Sequence, residues 1–198
     1  MQAAPGTPVG DGNEGSHRGK GFLAARRWWL LFVSVAVVAL TADQVTKVLA
    51  VRHLTDRPNV EVVGDVLQLH LVYNPGAAFS LGTQFTVVLS CLAVAATLVV
   101  LALSRRIATP MWAFAMGFLL AGIDGNLADR IFRAPEVLRG HVVDFLRLPN
   151  WPIFNVADIC INIGVALILV QVVRGIRMDG TREDESAEAD SEAERSQA

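Results

Sequence analysis

Four long apolar segments, separated by short polar stretches, constrain the fold of this chain more than any other feature. The clearest of them, residues 85–103, contains no charged side chain and is long enough to cross the roughly 30 Å hydrocarbon layer of a bilayer. Hydrophobic residues make up 53% of the 198 residues, and they are concentrated in these segments rather than spread along the chain. The pattern therefore predicts a membrane protein.

The predicted fold class is an all-α membrane protein with four transmembrane helices and a small extracytoplasmic β-rich element. The helices are predicted at residues 28–51, 85–103, 111–127 and 156–173. Basic residues at the inner end of each helix place both chain termini in the cytoplasm. In the first outer loop, β-branched residues and partial alternation between Val60 and Leu71 predict short strands.

The apolar segments lie within residues 22–178, which we assign to the membrane domain. Residues 1–21 are rich in Gly, Pro and polar residues and have no apolar periodicity, whereas residues 179–198 are strongly acidic. Both compositions predict disordered cytoplasmic tails.

Aspartates near the outer ends of the predicted helices are the strongest indication of function. Asp43, Asp124 and Asp158 belong to three different helices, yet they lie at a similar depth. Charged groups at such depths are costly and need a partner or a chemical role, so their convergence favours a shared polar site. Asp43 and Lys47 share a helix face four residues apart and can also form a merely local ion pair.

The fourth predicted helix carries the polar residues Asn155, Asp158 and Asn162 on one face, which should point into the bundle. Interhelical hydrogen bonding and a functional site explain this stripe equally well. Shortly before it, Asp144 lies between Val143 and Phe145, so an extended backbone would direct Asp144 to the opposite side, toward Asp158. Two nearby carboxylates that share a proton can act as general base and general acid in amide hydrolysis.

Other chemistries fit the sequence less well. Within residues 22–178, no Ser or Cys has a His neighbour in sequence, since His53, His70 and His141 are isolated. No His, Asp and Glu cluster has metal-ligand spacing, and there is no glycine-rich phosphate loop. Two non-enzymatic classes stay open on the residues alone. A membrane proton relay would depend on Asp43, Asp124 and Asp158 but not on Asp144, and a structural subunit would tolerate Asp158→Asn.

Five short segments at the outer ends of the helices carry most of the chemistry. They are DQVTK at 43–47, NPGAAFS at 74–80, GNLADR at 125–130, VVDF at 142–145 and FNVAD at 154–158. In this order they resemble the motifs of bacterial lipoprotein signal peptidase (signal peptidase II, peptidase family A8), an integral-membrane aspartic peptidase. The resemblance covers about residues 28–175.

The resemblance implies an enzyme that removes the signal peptide from diacylglyceryl-modified prolipoproteins, cutting before the lipidated cysteine. It implies a multi-pass protein of the bacterial cell membrane, with the active site near the extracytoplasmic surface. Asp144 and Asp158 match the catalytic dyad, and Asp129 competes with Asp144 for its role. The positions implied to support the site or hold the substrate are Asp43, Lys47, Asn74, Gly76, Asn126, Asp129, Arg130, Asn155 and Ala157.

The resemblance also implies membrane lipids as partners, no nucleic acid, no cofactor and no metal, and it specifies no oligomeric state. We expect Asp129 to be structural, because Arg130 adjoins it in a tight loop that Asn126 can orient. The chain departs from the family pattern at Asp124, a place that is usually apolar. It also departs in a longer stretch between Asp129 and Asp144.

Overall fold

A computed structural model describes the backbone of residues 14–76 and 86–182, with side chains from residue 26 onward in these ranges. The helices are α1 (Glu14–Leu54), α2 (Thr86–Ser104), α3 (Pro110–Phe132) and α4 (Val156–Val173), and the strands are β1 (Val60–Val63), β2 (Leu67–Asn74) and β3 (Val142–Arg147). Four helical segments, including Arg26–Leu54 of α1, are long and apolar enough to cross a membrane. The predicted membrane fold with four spans and a small β element is confirmed.

The predicted boundaries are close for α2 and α4 and wrong at one end of α1 and of α3. Helix α1 begins at Glu14, well before the predicted start at residue 28. Helix α3 continues to Phe132, so Asp129 and Arg130 lie in its last turns and not in a tight loop. The structure does not describe residues 1–13, 77–85 and 183–198. These ranges include the end of the NPGAAFS segment and most of the acidic tail.

Helix α3 is the centre of the bundle, because it packs against each of the other three helices. It begins at Pro110, which suits a first turn because it has no backbone N–H to satisfy, and Thr109 caps it by accepting a hydrogen bond from the Trp112 nitrogen. Near its other end, Gly125 lies so close to α1 that a Cβ atom there would be 2.6 Å from Asp43 Oδ2. Only glycine permits this approach.

Helix α2 presents apolar side chains such as Leu92 and Leu98 outward, as expected for a helix in lipid. Its opposite face is held by hydroxyl groups. Thr86 Oγ1 donates to the Pro75 carbonyl at 2.5 Å, and Ser90 Oγ donates to the Leu138 carbonyl at 2.7 Å. Helix α2 is therefore tied to the loops that follow β2 and α3.

The three strands form an antiparallel sheet in the order β1-β2-β3. Val72 of β2 pairs with Asp144 of β3. Val143 and Phe145 pack against the end of α1, in a buried cluster with Ala50 and Leu54. The predicted alternation is thereby confirmed, since Asp144 points away from this cluster.

Candidate active site

A cavity of about 620 Å³ lies where the sheet meets the ends of α3 and α4. Asp144 and Asp158 both line it, and we name it the main cavity. From Asp158 its wall follows α4 through Ile159 and Ile163 to Ala166, so the main cavity extends along a membrane-spanning helix. The two carboxyl groups singled out in the sequence thus face one common space.

The first carboxyl, Asp144, is supplied by β3 and is almost completely buried, at 3% exposure. Asn74 Nδ2 donates to its Oδ2 at 2.9 Å, and Asn155 Nδ2 donates to its Oδ1 at 2.7 Å. Burial, reinforced by the negative charge of Asp158, raises the pKa of Asp144 to about 6 in spite of these hydrogen bonds. Asp144 therefore holds a proton more readily than an ordinary aspartate.

The second carboxyl, Asp158, lies in the first turn of α4. Asn155 caps this helix, since its side chain accepts a hydrogen bond from the Asp158 nitrogen while Asp158 Oδ2 accepts one from the Asn155 nitrogen. Asn126 Nδ2 donates to the other oxygen, Oδ1, at 2.9 Å. The capping box therefore fixes both the helix start and the orientation of the carboxylate.

One residue connects the two carboxyl groups, through its side chain to Asp144 and through its backbone nitrogen to Asp158. Asn155 is fully buried, and its Nδ2 atom donates both to Asp144 Oδ1 and to Asn126 Oδ1, the latter at 3.1 Å. Because Asn126 also donates to Asp158, the two asparagines hold both acids from two helices. Both amides are used to near their hydrogen-bonding capacity, which makes their orientation well defined.

A buried ion cluster, formed by Asp43, Lys47, Asp129 and Arg133, supports this arrangement. Lys47 Nζ lies 3.0 Å from Asp43 Oδ2 and 2.9 Å from Asp129 Oδ2, and none of the three side chains is more than 1% exposed. Arg133 contacts the remaining oxygen of Asp129, so two carboxylates are balanced by two cations. The Asp43–Lys47 pair is therefore not merely local, since it is shared with α3.

The ion cluster contacts every element that carries the two acids. Asp129 Oδ2 accepts from the Val143 nitrogen of β3 at 3.1 Å, and Asp43 Oδ1 accepts from the Ala157 nitrogen of α4 at 2.8 Å. Lys47 also donates to Asn126 Oδ1 at 3.1 Å. Ala157 thus contributes through its backbone, and the cluster fixes the residues adjacent to Asp144 and Asp158 in sequence.

Arg130 forms another part of the cavity wall. Its Nη2 atom donates to the Gly76 carbonyl at 2.8 Å, and Gly76 also lines the main cavity. Its Nη1 atom is buried and has no hydrogen-bond partner within the described residues. A buried guanidinium nitrogen without a partner is suited to an acceptor that a ligand supplies.

Of two further polar residues singled out in the sequence, one lies away from the site and the other lines its cavity. Asp124 is turned to α2, where Thr97 Oγ1 donates to it at 2.6 Å, so it does not join the other acids. Asn162 is exposed and lines the main cavity, and its amide donates to the carbonyl of Asp158 in its own helix. The polar stripe of α4 thus faces the bundle at Asn155 and the cavity at Asn162.

Sequence reasoning missed two contributors. Gln44 Nε2 donates to Asp43 Oδ2 and to the Gly125 carbonyl, each at 3.0 Å. Arg133 contacts Asp129, and the spacing of residues 126, 129, 130 and 133, typical of one helix face, was the signal that could have revealed it. In the described ranges, no three His, Cys, Asp or Glu side chains converge to hold a metal ion.

Comparisons with known proteins relate the chain to one enzyme family. A family model described as signal peptidase (SPase) II matches residues 35–174. The chain is 46% identical over 157 residues to a lipoprotein signal peptidase of Rhodococcus jostii, a match that covers 79% of either chain. It is 41% identical over 176 residues to a lipoprotein signal peptidase of Streptomyces griseus, covering 89% of this chain and 87% of the relative.

Two solved structures, both described as bacterial membrane enzymes, have a similar fold. Each superposes with a TM-score of 0.63 over 72% of this chain. The matches cover 87% and 92% of those chains, at 26% and 27% sequence identity respectively. The agreement includes the greater part of the membrane domain.

Proposed function

The chain belongs to the signal peptidase II family, and from this premise we propose that it is an aspartic endopeptidase that removes the signal peptide from prolipoproteins. The substrate carries a diacylglyceryl-modified cysteine, and the cut falls directly before that residue. The observation that carries the proposal is that Asp144 and Asp158 line one cavity and are connected by Asn155.

The two acids divide the proton transfers between them. The raised pKa of Asp144, about 6, favours Asp144 as the general acid, which leaves the role of general base to Asp158. Asp158 takes a proton from water while the water oxygen bonds to the scissile carbonyl carbon, and Asp144 gives its proton to the carbonyl oxygen. The resulting gem-diol returns a proton to Asp144 as it collapses. The C–N bond breaks, and Asp158 protonates the leaving nitrogen.

Asp129 is the weaker candidate for the second catalytic role. Both of its oxygens are occupied, by Lys47 and the Val143 nitrogen on one side and by Arg133 on the other. It is also absent from the lining of the main cavity, whereas Asp144 and Asp158 are present there. These contacts support a structural role for Asp129.

The remaining polar groups of the wall hold the peptide. Arg130 offers its Nη1 atom, which has no hydrogen-bond partner among the described residues, to a substrate carbonyl. Asn74 and Asn126 keep the two acids oriented. The apolar wall of α4, with Ile159, Ile163 and Ala166, receives the lipid-modified, apolar part of the substrate from the bilayer. Both chain termini are cytoplasmic, and the sheet and the site lie near the extracytoplasmic surface.

The test is cleavage of a diacylglyceryl-modified prolipoprotein by purified protein in detergent, with folding checked by thermal unfolding. Asp144→Asn and Asp158→Asn should each lower turnover by about 10²–10⁴-fold, because Asn cannot transfer the proton. Asp129→Asn is the matched control: its folded fraction should keep measurable turnover despite lower stability.

Loss of cleavage in folded Asp129→Asn together with an active Asp144→Asn would move the second catalytic role to Asp129. If the folded wild-type protein does not cleave this substrate at all, the peptidase assignment fails. Cleavage by Asp158→Asn at the wild-type rate would show that the polar stripe of α4 has only a structural role.

A further inference from the structure

A second cavity, of about 470 Å³, lies over the face of the sheet that carries Asn74, and we name it the sheet cavity. Three of its lining residues, His70, Val72 and Arg147, belong to β2 and β3 and do not line the main cavity. The residues that line both cavities are Asn74, Trp151, Pro152 and Ile153. The two cavities are therefore neighbours that share one wall.

The shared wall lies at the reacting groups. Asn74 belongs to it, and Asn74 Nδ2 donates to Asp144 Oδ2 at 2.9 Å. A peptide that passes from one cavity to the other over Asn74 would therefore cross beside Asp144. A scissile bond held at the two acids has one side of the substrate in the main cavity and the other in the sheet cavity.

The two cavities differ in chemistry. The main cavity continues along the apolar residues of α4, whereas the residues peculiar to the sheet cavity lie on strands outside the four membrane spans. The ionisable residues in the sheet cavity lining are His70 and Arg147, both basic types, and none is acidic. The side chain of Arg147 is exposed and forms no hydrogen bond or ion pair with another residue in the described chain, whereas its backbone pairs with Gln68 in the sheet.

We propose that the sheet cavity is the subsite for the residues that follow the lipidated cysteine, and that Arg147 makes the enzyme prefer acidic over basic side chains there. This inference rests on the proposed function. A signal peptide is apolar and lies in the membrane, which matches the main cavity, whereas the mature chain leads from the cysteine into water. The sheet cavity, which lies outside the membrane spans and carries His70 and Arg147, matches that second direction.

The expected preference is modest because Arg147 is exposed. Exposed charge pairs contribute little, so a substrate with an acidic residue in the sheet cavity should be favoured over a basic one by about two- to tenfold in kcat/KM. Screening by salt should reduce the preference, since the Debye length falls to about 3 Å at 1 M. A preference that comes from side-chain shape would not respond to salt.

The experiment uses three diacylglyceryl-modified prolipoproteins that differ only in the two residues after the cysteine, which are Asp-Asp, Ala-Ala or Lys-Lys. The ratio of kcat/KM between the Asp and Lys substrates is measured at low and high salt for the full-length wild type, Arg147→Gln and Arg147→Glu. Arg57→Glu is the matched control, because Arg57 is another exposed arginine near the sheet that lines neither cavity.

We expect the ratio to favour Asp in the wild type, to fall to about one in Arg147→Gln, and to reverse in Arg147→Glu, while Arg57→Glu keeps the wild-type ratio. Equal ratios in the wild type and Arg147→Glu would overturn the inference. A loss of the same factor for all three substrates in Arg147→Gln would also overturn it, since it would assign Arg147 to the fold of the sheet. Failure of the wild type to cleave even the Ala-Ala substrate would instead refute the proposed function.

Discussion

The side-chain amide of Asn155 donates a hydrogen bond of 2.7 Å to Asp144, which joins the cap of α4 to the carboxyl group of β3. The same residue begins the helix that carries Asp158. Helix capping and the relative placement of the two acids therefore depend on one side chain.

Substitution at Asn155 should separate these two roles. Asn155→Ala loses the cap and leaves buried groups without partners, so it should cost about 1–3 kcal/mol of stability and most of the cleavage activity. Asn155→Ser keeps a capping oxygen but has no amide to donate to Asp144. Thermal unfolding and kcat/KM in detergent should show Ser close to the wild type in stability yet at least about tenfold slower. An Asn155→Ser protein with the wild-type rate would show that cleavage does not depend on the hydrogen bond from Asn155 to Asp144.

The titration of Asp144 should be visible in stability. Its pKa is raised by burial from 3.8 in the unfolded chain to about 6 in the folded one, so the folded protein binds this proton more tightly. The contribution of this group to stability is therefore most favourable below about pH 4 and is lost as the pH rises through about 6.

The matched variant is Asp144→Asn, which cannot titrate at this position. The difference in unfolding free energy should change in favour of Asn as the pH rises from about 4 to 6 and should stay constant above about 7. The measurement is unfolding of both proteins in detergent at several pH values. A difference that does not vary with pH would show that the carboxyl has an ordinary pKa.

Lys47 should be essential for stability because it is shared by two buried carboxylates. Lys47→Met leaves Asp43 and Asp129 without this cation, which should destabilise the fold by about 3–5 kcal/mol. The control is Arg139→Gln, which removes an exposed pair with Glu136 and should cost less than about 1 kcal/mol.

If Lys47→Met does not fold, the role of the ion cluster can still be tested by removing the charges of Lys47, Asp43 and Asp129 together. Combining Lys47→Met with Asp43→Asn and Asp129→Asn should recover much of the lost stability, because the one charge left without its partner, on Arg133, is partly exposed. The measurement compares the unfolding temperatures of the wild type, Lys47→Met and the triple variant. A Lys47→Met protein as stable as the wild type would disprove the role of the ion cluster.

Asp124 distinguishes the peptidase from a membrane proton relay. Because it accepts a hydrogen bond from Thr97 of α2 and does not reach the main cavity, Asp124→Asn should cleave at close to the wild-type rate. Thr97→Val should lose about 0.6–1.7 kcal/mol of stability, as for a single interhelical hydrogen bond, without a change in kcat. Loss of cleavage in a folded Asp124→Asn protein would favour a relay that includes this residue.

The sequence predicted the spans well where hydrophobicity alone decides them, as for α2 and α4. It failed at the end of α3, because the polar residues Asp129, Arg130 and Arg133 look like a loop. Two of them bond to groups distant in sequence: Asp129 to Lys47 and Arg130 to the Gly76 carbonyl. Only the tertiary packing makes these polar residues compatible with a buried helix end.

The site was predictable where local structure decides it and unpredictable where tertiary packing does. The position of Asp144 followed from strand alternation, which is a local property. The direction of Asp124 did not, because depth along a helix says nothing about which face a residue occupies. Successive residues differ by about 100° around a helix, so once Gly125 packs against Asp43, its neighbour Asp124 must point elsewhere.

The hydroxyl contacts of α2 have a consequence for the bilayer itself. Thr86 and Ser90 bind the carbonyls of Pro75 and Leu138, in the loops that lead from β2 and to β3, while the other face of the same helix is open to lipid. A helix whose apolar length does not match the membrane responds by tilting. Tilting α2 would move both loops at once. The geometry at Asn74 and Asp144 should therefore depend on the thickness of the surrounding membrane.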